Sequence, residues 1–186
     1  MRNLHITLLL FSIPIIAQRN DTAPTITVES GSLQGRTIQL PDGRASVDQF
    51  LGIPFAQPPI DDLRFTPPRE VEAWDGVLDA TERRNACMQY LGPEGPGRVR
   101  GELLFRVPPD APMSEDCLYL DVYVPQGGES NKSVLFWIHG GGGVMGSASW
   151  PDYDGTHFAA NQDIIVVAIN YRLNGEQLSK FQNRPY

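Results

Sequence analysis

Val134-Leu-Phe-Trp-Ile-His-Gly-Gly-Gly-Gly143 is an apolar run that passes through one histidine into four consecutive glycines. Five apolar residues followed so closely by glycines predict a strand that ends in a turn at the edge of a sheet. Because glycine has no side chain, its backbone N–H group is accessible and a bound group can approach it closely. Such amides can donate hydrogen bonds to an oxygen that becomes negative during acyl transfer. We therefore expect a turn after this strand that can stabilise an oxyanion.

Two further runs predict neighbouring strands, at residues 118–124 and 164–169. The runs at 134–138 and 164–169 are continuously apolar, which is typical of strands that are covered on both faces. Residues 154–161 lie between them and predict a short crossover helix. The expected fold class is therefore α/β, with a mixed central sheet.

The N-terminal part of the chain predicts a small antiparallel hairpin. Residues 25–28 and 33–40 are short alternating or β-branched runs, and Ser30-Gly31-Ser32 separates them. Five prolines between residues 54 and 68 then exclude regular helix over a long irregular stretch. Because that stretch also carries several apolar side chains, we expect an ordered loop rather than a linker.

Composition limits the function classes that fit this chain. Its 186 residues suffice for one domain, and 18 Gly with 16 Pro favour many turns over a helical bundle. The formal net charge is −7. Nucleic acid is excluded as a partner, because phosphate neutralisation requires clustered Lys and Arg. The composition does not indicate an oligomeric state.

Residues 1–17 have the pattern of a secretory signal peptide. Arg2 forms a short basic region, residues 8–16 are mostly apolar, and Ala17 is a small residue suited to a cleavage site. A membrane anchor is the alternative, but this stretch is shorter than the ~20 residues that a spanning helix needs, and Pro14 interrupts it. No later segment is long and apolar enough to span a bilayer. We expect a secreted protein.

Cys87 and Cys117 are the two cysteines of the chain. In an oxidising secretory route their pairing is the default expectation, and two buried free thiols are the alternative. Chain-entropy arithmetic gives a bridge that closes about thirty residues a stabilisation of roughly 3.6 kcal/mol. The sequons at Asn20 and Asn131 predict glycosylation at the surface and fit the same compartment.

Glu115-Asp-Cys-Leu-Tyr-Leu-Asp-Val-Tyr-Val-Pro125 together with His139-Gly-Gly-Gly142 resembles the type-B carboxylesterase and cholinesterase family, a branch of the α/β-hydrolases. Further matching segments occur in family order: Phe50-Leu-Gly-Ile-Pro-Phe-Ala56, Leu63-Arg-Phe65, Trp74, Cys87, Tyr153-Asp-Gly155 and Asn170-Tyr-Arg-Leu173. The resemblance implies that residues 18–174 are the N-terminal part of an α/β-hydrolase fold. Residues 175–186 depart from the family pattern.

The resemblance also implies a mechanism. The family is one of secreted carboxylic-ester hydrolases that use a Ser-Glu/Asp-His triad and no metal or organic cofactor, and act on small-molecule esters. By position, the backbone amides of Gly141 and Gly142 supply two oxyanion donors, and Cys87 and Cys117 form a bridge near the mouth of the active-site gorge. Gly143 stands where the family often has a side chain.

The third donor, from the residue after the nucleophilic serine, is expected beyond this chain, which contains no Gly-x-Ser-x-Gly motif. We therefore expect negligible esterase turnover from these 186 residues alone. The alternative function is that of a non-catalytic relative with the same fold, a cholinesterase-like adhesion or binding protein.

Other interpretations of the glycine and histidine residues are weaker. Gly141, Gly143 and Gly146 match the dinucleotide pattern G-x-G-x-x-G, but Pro151 would break the helix which that fold requires next. His139 belongs to the glycine turn, where fixing the loop by hydrogen bonding is its expected role. His157, on the predicted helix, is expected to be solvated. No His, Cys or Asp cluster has the spacing of a zinc site.

Overall fold

A five-stranded mixed sheet lies beside a smaller three-stranded sheet in the computed structural model of the chain. The structure describes residues 23–90, 98–99, 102–103, 112–128 and 130–174. The predicted signal segment, the sequon at Asn20 and the segment 175–186 lie outside the described residues. The strands are β1 (Thr25–Val28), β2 (Gly31–Gln34), β3 (Arg36–Gln39), β4 (Ser46–Pro54), β5 (Val77–Asp79), β6 (Ala86–Cys87), β7 (Arg98–Val99), β8 (Glu102–Leu103), β9 (Met113–Ser114), β10 (Tyr119–Pro125), β11 (Val134–Ile138) and β12 (Ile165–Ile169).

The larger sheet has the strand order β11-β12-β10-β4-β3. β11 and β12 run parallel, whereas the other neighbouring pairs are antiparallel. This mixed sheet confirms the expected α/β class and the partial α/β-hydrolase architecture. Because β11 and β12 are parallel, the residues that follow both strands meet at the same end of the sheet.

The predicted N-terminal hairpin is confirmed only in its first half. β1 pairs with β2 in antiparallel register, with Val28 opposite Gly31. The run at residues 33–40 was expected to be one strand, but it divides at Gly35, and β3 joins β4 in the other sheet. A Cβ on residue 35 would lie 2.3 Å from the Gln49 carbonyl oxygen. Glycine therefore lets the chain cross close to β4 from one sheet to the other.

The helix α1 (Thr156–Gln162) provides the crossover between β11 and β12. It begins two residues later than predicted, where Asp154 Oδ1 accepts a hydrogen bond from the Thr156 amide at 2.9 Å. Asp163 ends it with a left-handed φ of 51°. α1 packs on β10, β4 and β12 over a core cluster formed by Val47, Leu51, Tyr123, Ala159 and Val166. No helix in the described part of the chain is long and apolar enough to cross a membrane.

β11 differs from its prediction as a strand covered on both faces. Its five side chains are 37–59% exposed, from Val134 through Ile138. β12 also differs, because buried and half-buried side chains alternate along it. The reason is position: β11 is the edge strand, and α1 lies over its inner neighbours. An apolar run indicated a strand correctly, but the covering elements cannot be inferred from the run itself.

A buried carboxylate occupies the middle of β10. Asp121 is 3% exposed, and its Oδ1 accepts a hydrogen bond from the Gly52 amide at 2.8 Å. Its Oδ2 lies 3.4 Å from Arg83 Nε. Arg83 also donates to the Tyr123 hydroxyl at 3.0 Å and to Asp154 at 2.6 Å. The guanidinium thus links two carboxylates, and only Asp121 is deeply buried.

This burial has a consequence for the pH dependence of stability. Burial raises the pKa of Asp121 to about 6, above the ordinary value of 3.8. Between those two values the native state holds a proton that the unfolded state has lost, so this group's contribution to stability falls as pH rises. Asp121→Asn removes the charge and keeps an oxygen that can accept the Gly52 hydrogen bond. As the pH rises from 4 to 7, the free energy of unfolding of the variant should increase relative to that of wild type by on the order of 2–3 kcal/mol.

Urea unfolding of both proteins across that pH range measures the difference. Asp79→Asn is the control, because hydrogen bonds from Thr81 lower the pKa of this exposed carboxyl and give its contribution the opposite sign. A stability difference between wild type and Asp121→Asn that stays constant from pH 4 to pH 7 would contradict the assignment.

Candidate functional site

The glycine turn, residues 139–146, follows β11 directly and lies beside the end of β12. The amides of Val144 and Met145 both donate to the Gly141 carbonyl oxygen, at 3.2 and 3.3 Å, and close the turn. Gly141 has a φ of +124° and Gly146 a φ of +120°, values that side-chain-bearing residues rarely adopt. The predicted turn after the strand is therefore present.

Two of the glycines are required by the packing of the turn itself. A Cβ on Gly141 would lie 1.9 Å from the Met145 carbonyl oxygen. A Cβ on Gly146 would lie 2.2 Å from His139 Nδ1 and 2.6 Å from the Gly140 carbonyl oxygen. The beginning and the end of the turn consequently touch, and neither position accommodates a side chain.

The middle of the turn is open. A Cβ on Gly142 or on Gly143 would meet nothing within 4 Å, and both residues are exposed. Among the described residues, no atom accepts a hydrogen bond from the amide of Gly141 or Gly142. Two neighbouring N–H groups are thus left without an acceptor, and the space at Gly142 is unfilled. Adjacent free amides of this kind can bind a negatively charged oxygen.

His139 supports the turn from within the protein. It is 3% exposed, and its ring stacks on Tyr171 with 4.3 Å between ring centroids. Its Nδ1 lies 2.9 Å from the Gly140 carbonyl oxygen, so Nδ1 carries the proton and donates it. Burial lowers the pKa of His139, which keeps the ring neutral at pH 7. These contacts agree with the predicted role in fixing the loop.

The residues after β12 hold the other side of the turn. Asn170 is buried, and its Oδ1 accepts hydrogen bonds from the Ala148 amide at 2.8 Å and from Ser147 Oγ at 3.1 Å. The Tyr171 hydroxyl donates to the His139 carbonyl oxygen at 2.9 Å, and the Asn174 amide donates to the Gly143 carbonyl oxygen at 2.8 Å. The parallel pairing of β11 with β12 brings these residues together.

Cys87 and Cys117 are joined by a disulfide with 5.0 Å between their Cα atoms, and both are buried. The free-thiol alternative is therefore not observed. Gln89 follows two residues after Cys87, and its side chain reaches the glycine turn at Gly146. No local pattern in the sequence predicts this contact of Gln89, because its partner lies 57 residues away in the chain.

The remaining candidate residues lie away from the turn. Asn131 is exposed with a φ of 68°, and the use of its sequon stays a prediction. His157 is exposed on α1, as expected. The dinucleotide interpretation fails, because a 3-10 turn at Pro151–Tyr153 follows Gly146 and the helix begins only at Thr156. Among the described residues, no group of three His, Cys, Asp or Glu could hold a metal ion.

The sequence is similar to that of characterised esterases. A sequence profile described as the carboxylesterase family matches residues 22–175. Cocaine esterase of Oryctolagus cuniculus is 43% identical over 157 residues, which is 83% of this chain and 29% of that protein. Acetylcholinesterase of Electrophorus electricus is 40% identical over 167 residues, covering 89% of this chain and 26% of that protein.

Acylcarnitine hydrolase of Mus musculus is 41% identical over 169 residues, or 89% of this chain and 29% of that protein. The chain thus spans between a quarter and three tenths of the length of these curated relatives. The matched segment contains the glycine turn, the disulfide and the residues after β12 that hold the turn. On this similarity, together with the geometry of the turn, the chain belongs to the carboxylesterase family.

Proposed function

We propose that this chain supplies the oxyanion-binding segment of a serine carboxylic-ester hydrolase. The observation that carries the proposal is the pair of amides at Gly141 and Gly142, which donate to no described atom, together with the open space at Gly142. The turn is held by buried contacts on both sides, so the amides are positioned before any substrate arrives. Preorganised donors of this kind are often the largest single contribution to acyl-transfer catalysis.

In the proposed reaction a serine hydroxyl attacks the ester carbonyl, and the carbonyl oxygen becomes an oxyanion. The Gly141 and Gly142 amides donate hydrogen bonds to that oxygen, and the charge-bearing intermediate is stabilised more than the neutral ester. Each such donor contributes about 2.7–4 kcal/mol to the stability of the transition state. Collapse expels the alcohol and leaves an acyl-enzyme, which water hydrolyses.

The serine, the acid and the base histidine of the proposed triad would come from sequence beyond Asn174. The third oxyanion donor would come from the residue that follows the serine. His139 takes no part as a base, because its buried, neutral ring has its Nδ1 proton bonded to Gly140. The described residues therefore provide charge stabilisation, and the proton transfers are made elsewhere.

The proposed substrates are small-molecule carboxylic esters. The relatives are named for cocaine, acetylcholine and acylcarnitine, three compounds that each contain a carboxylic ester bond. We further propose that the protein is secreted, and the disulfide supports this, because such bonds persist in oxidising compartments.

A non-catalytic binding protein of the same fold is the competing function. Such a protein has no need of two unbonded amides at a turn whose glycines are sterically required at both ends. The open amides therefore favour the hydrolase.

A chimera tests the proposed function. Residues 23–174 would replace the matching segment of the rabbit cocaine esterase, and the 186-residue chain would be assayed beside it. We expect the chimera to hydrolyse p-nitrophenyl acetate and to be labelled covalently by a fluorophosphonate. We expect neither from the chain alone, which lacks the Gly-x-Ser-x-Gly motif. A folded chimera that neither hydrolyses the ester nor takes the label would refute the proposal.

A further inference from the structure

Gly146, the last residue of the glycine turn, packs against the first two residues of the turn, His139 and Gly140. Its backbone lies so close to His139 and Gly140 that a Cβ would fall 2.2 Å from the imidazole Nδ1. Between these contacts the chain makes the turn that presents the Gly141 and Gly142 amides. A shift of Gly146 would therefore move the first residues of the turn with it, because close-packed contacts transmit displacement.

One side chain holds both polar groups of Gly146. Gln89 Oε1 accepts a hydrogen bond from the Gly146 amide at 2.8 Å, and Gln89 Nε2 donates to the Gly146 carbonyl oxygen at 2.9 Å. Gln89 Nε2 donates also to the Cys87 carbonyl oxygen at 3.0 Å. Gln89 is 9% exposed and Gly146 is buried, so water does not compete strongly for these bonds.

The geometry requires a carboxamide of this length. A donor and an acceptor must stand side by side to meet the N–H and the C=O of one residue, and the carboxamides of Asn and Gln offer that pair at every pH, whereas a carboxyl group offers it only when protonated. Asn is one methylene shorter than Gln. The side chain is also anchored at its base, because Gln89 lies two residues after Cys87 and the Cys87–Cys117 disulfide holds that strand.

We propose that Gln89 is the positioning residue of the glycine turn: it holds Gly146 against His139 and thereby sets the orientation of the Gly141 and Gly142 amides. The inference rests on the proposed function only for the role of those two amides. On the side of β12, the turn is held by hydrogen bonds that involve Asn170, Tyr171 and Asn174. On the side of the disulfide, it is held by the hydrogen bonds between Gln89 and Gly146. Loss of Gln89 should loosen one side and leave the other intact.

The test is amide hydrogen exchange, followed by NMR on the ¹⁵N-labelled 186-residue chain. In Gln89→Met, which keeps the approximate length and removes both polar atoms, the protection factor of the Gly146 amide should fall about tenfold or more. The Gly141 and Gly142 resonances should shift. The Ala148 amide, which Asn170 holds, should change less than about twofold. Gln57→Met, the same substitution at a half-buried glutamine that contacts Glu72, is the matched control and should alter none of these signals.

A second variant gives a readout that general destabilisation would not produce. In Gln89→Glu the protonated carboxyl has one donor and one acceptor and can make both bonds to Gly146, whereas the carboxylate has no donor. Burial raises the pKa of such a group, so the neutral form should keep Gly146 protection near the wild-type value at pH 5. At pH 8 the carboxylate would face the carbonyl oxygens of Gly146 and Cys87 with no proton to donate, and we expect this repulsion to displace the side chain and to remove the protection of the Gly146 amide. The wild-type protection factor should stay constant over the same range. This titration decides the matter if Gln89→Met does not fold.

The inference is overturned if Gln89→Met leaves the Gly146 protection factor and the two glycine resonances unchanged. It is also overturned if the Ala148 amide loses protection equally, or if Gln89→Glu shows no pH dependence. An inactive chimera beside the expected exchange results would refute the proposed function and leave the positioning role in place. An active chimera, together with Gly146 exchange that does not change in the Gln89 variants, would support the proposed function and refute the positioning role.

Discussion

Gly141→Ala is expected to lower the free energy of unfolding by about 3–5 kcal/mol, because the new methyl group collides with the main chain. Its Cβ would lie 1.9 Å from the Met145 carbonyl oxygen, and backbone cannot move aside as the end of a flexible side chain can. The φ of +124° adds strain, since it falls where residues other than glycine are rarely found. Urea unfolding at pH 7 measures the loss.

Gly143→Ala is the matched control for this substitution. The φ of Gly143 is +73°, near the left-handed helical region, and a Cβ there would meet nothing within 4 Å. The expected cost is about 1–2 kcal/mol. Equal losses for the two variants would show that the packing of the turn does not depend on the contact between Gly141 and Met145.

Removal of the disulfide is the second large effect. Cys87→Ala combined with Cys117→Ala should lower the free energy of unfolding by roughly 3.6 kcal/mol, because the unfolded chain regains the freedom of a loop of about thirty residues. Alanine is the suitable replacement, since both sulfurs are buried in an apolar cluster and a serine hydroxyl would add its own cost there. The urea dependence should also steepen, because an unlinked chain exposes more surface on unfolding.

Wild-type protein reduced with dithiothreitol provides the comparison, since it loses the bridge and keeps both side chains. The reduced protein and the double variant should agree to within about 1 kcal/mol. A loss below about 1 kcal/mol in both would mean that the bridge restrains little of the unfolded chain.

The sequence was sufficient to predict the elements around the site. An apolar run followed by glycines indicates a strand and a turn through local rules alone, so β11 and the turn at residues 139–146 were predictable. β12 was predictable as a second continuous apolar run, and the crossover helix was predictable from the segment between the two runs. The disulfide was predictable from compartment and family resemblance. The roles of Gly141 and Gly142 came from the resemblance and stay a prediction.

Features that depend on distant contacts could not be predicted. The exposure of β11 depends on which elements cover the sheet, and the division of residues 33–40 depends on how closely Gly35 passes Gln49. Gln89 lies 57 positions from Gly146, and a glutamine beside a cysteine has no distinguishing pattern of its own. The partners of the buried Asp121 carboxylate, the Gly52 amide and Arg83, are likewise distant in the chain.

In the proposed reaction the Gly141 and Gly142 amides bind the oxyanion of ester hydrolysis. The most direct measurement is a crystal structure of the chimera after reaction with a fluorophosphonate, whose phosphonyl oxygen mimics that oxyanion. We expect this oxygen to lie about 2.7–3.1 Å from both amide nitrogens. A phosphonyl oxygen bound by other groups, with these two amides donating to acceptors within the protein, would contradict their role as oxyanion donors.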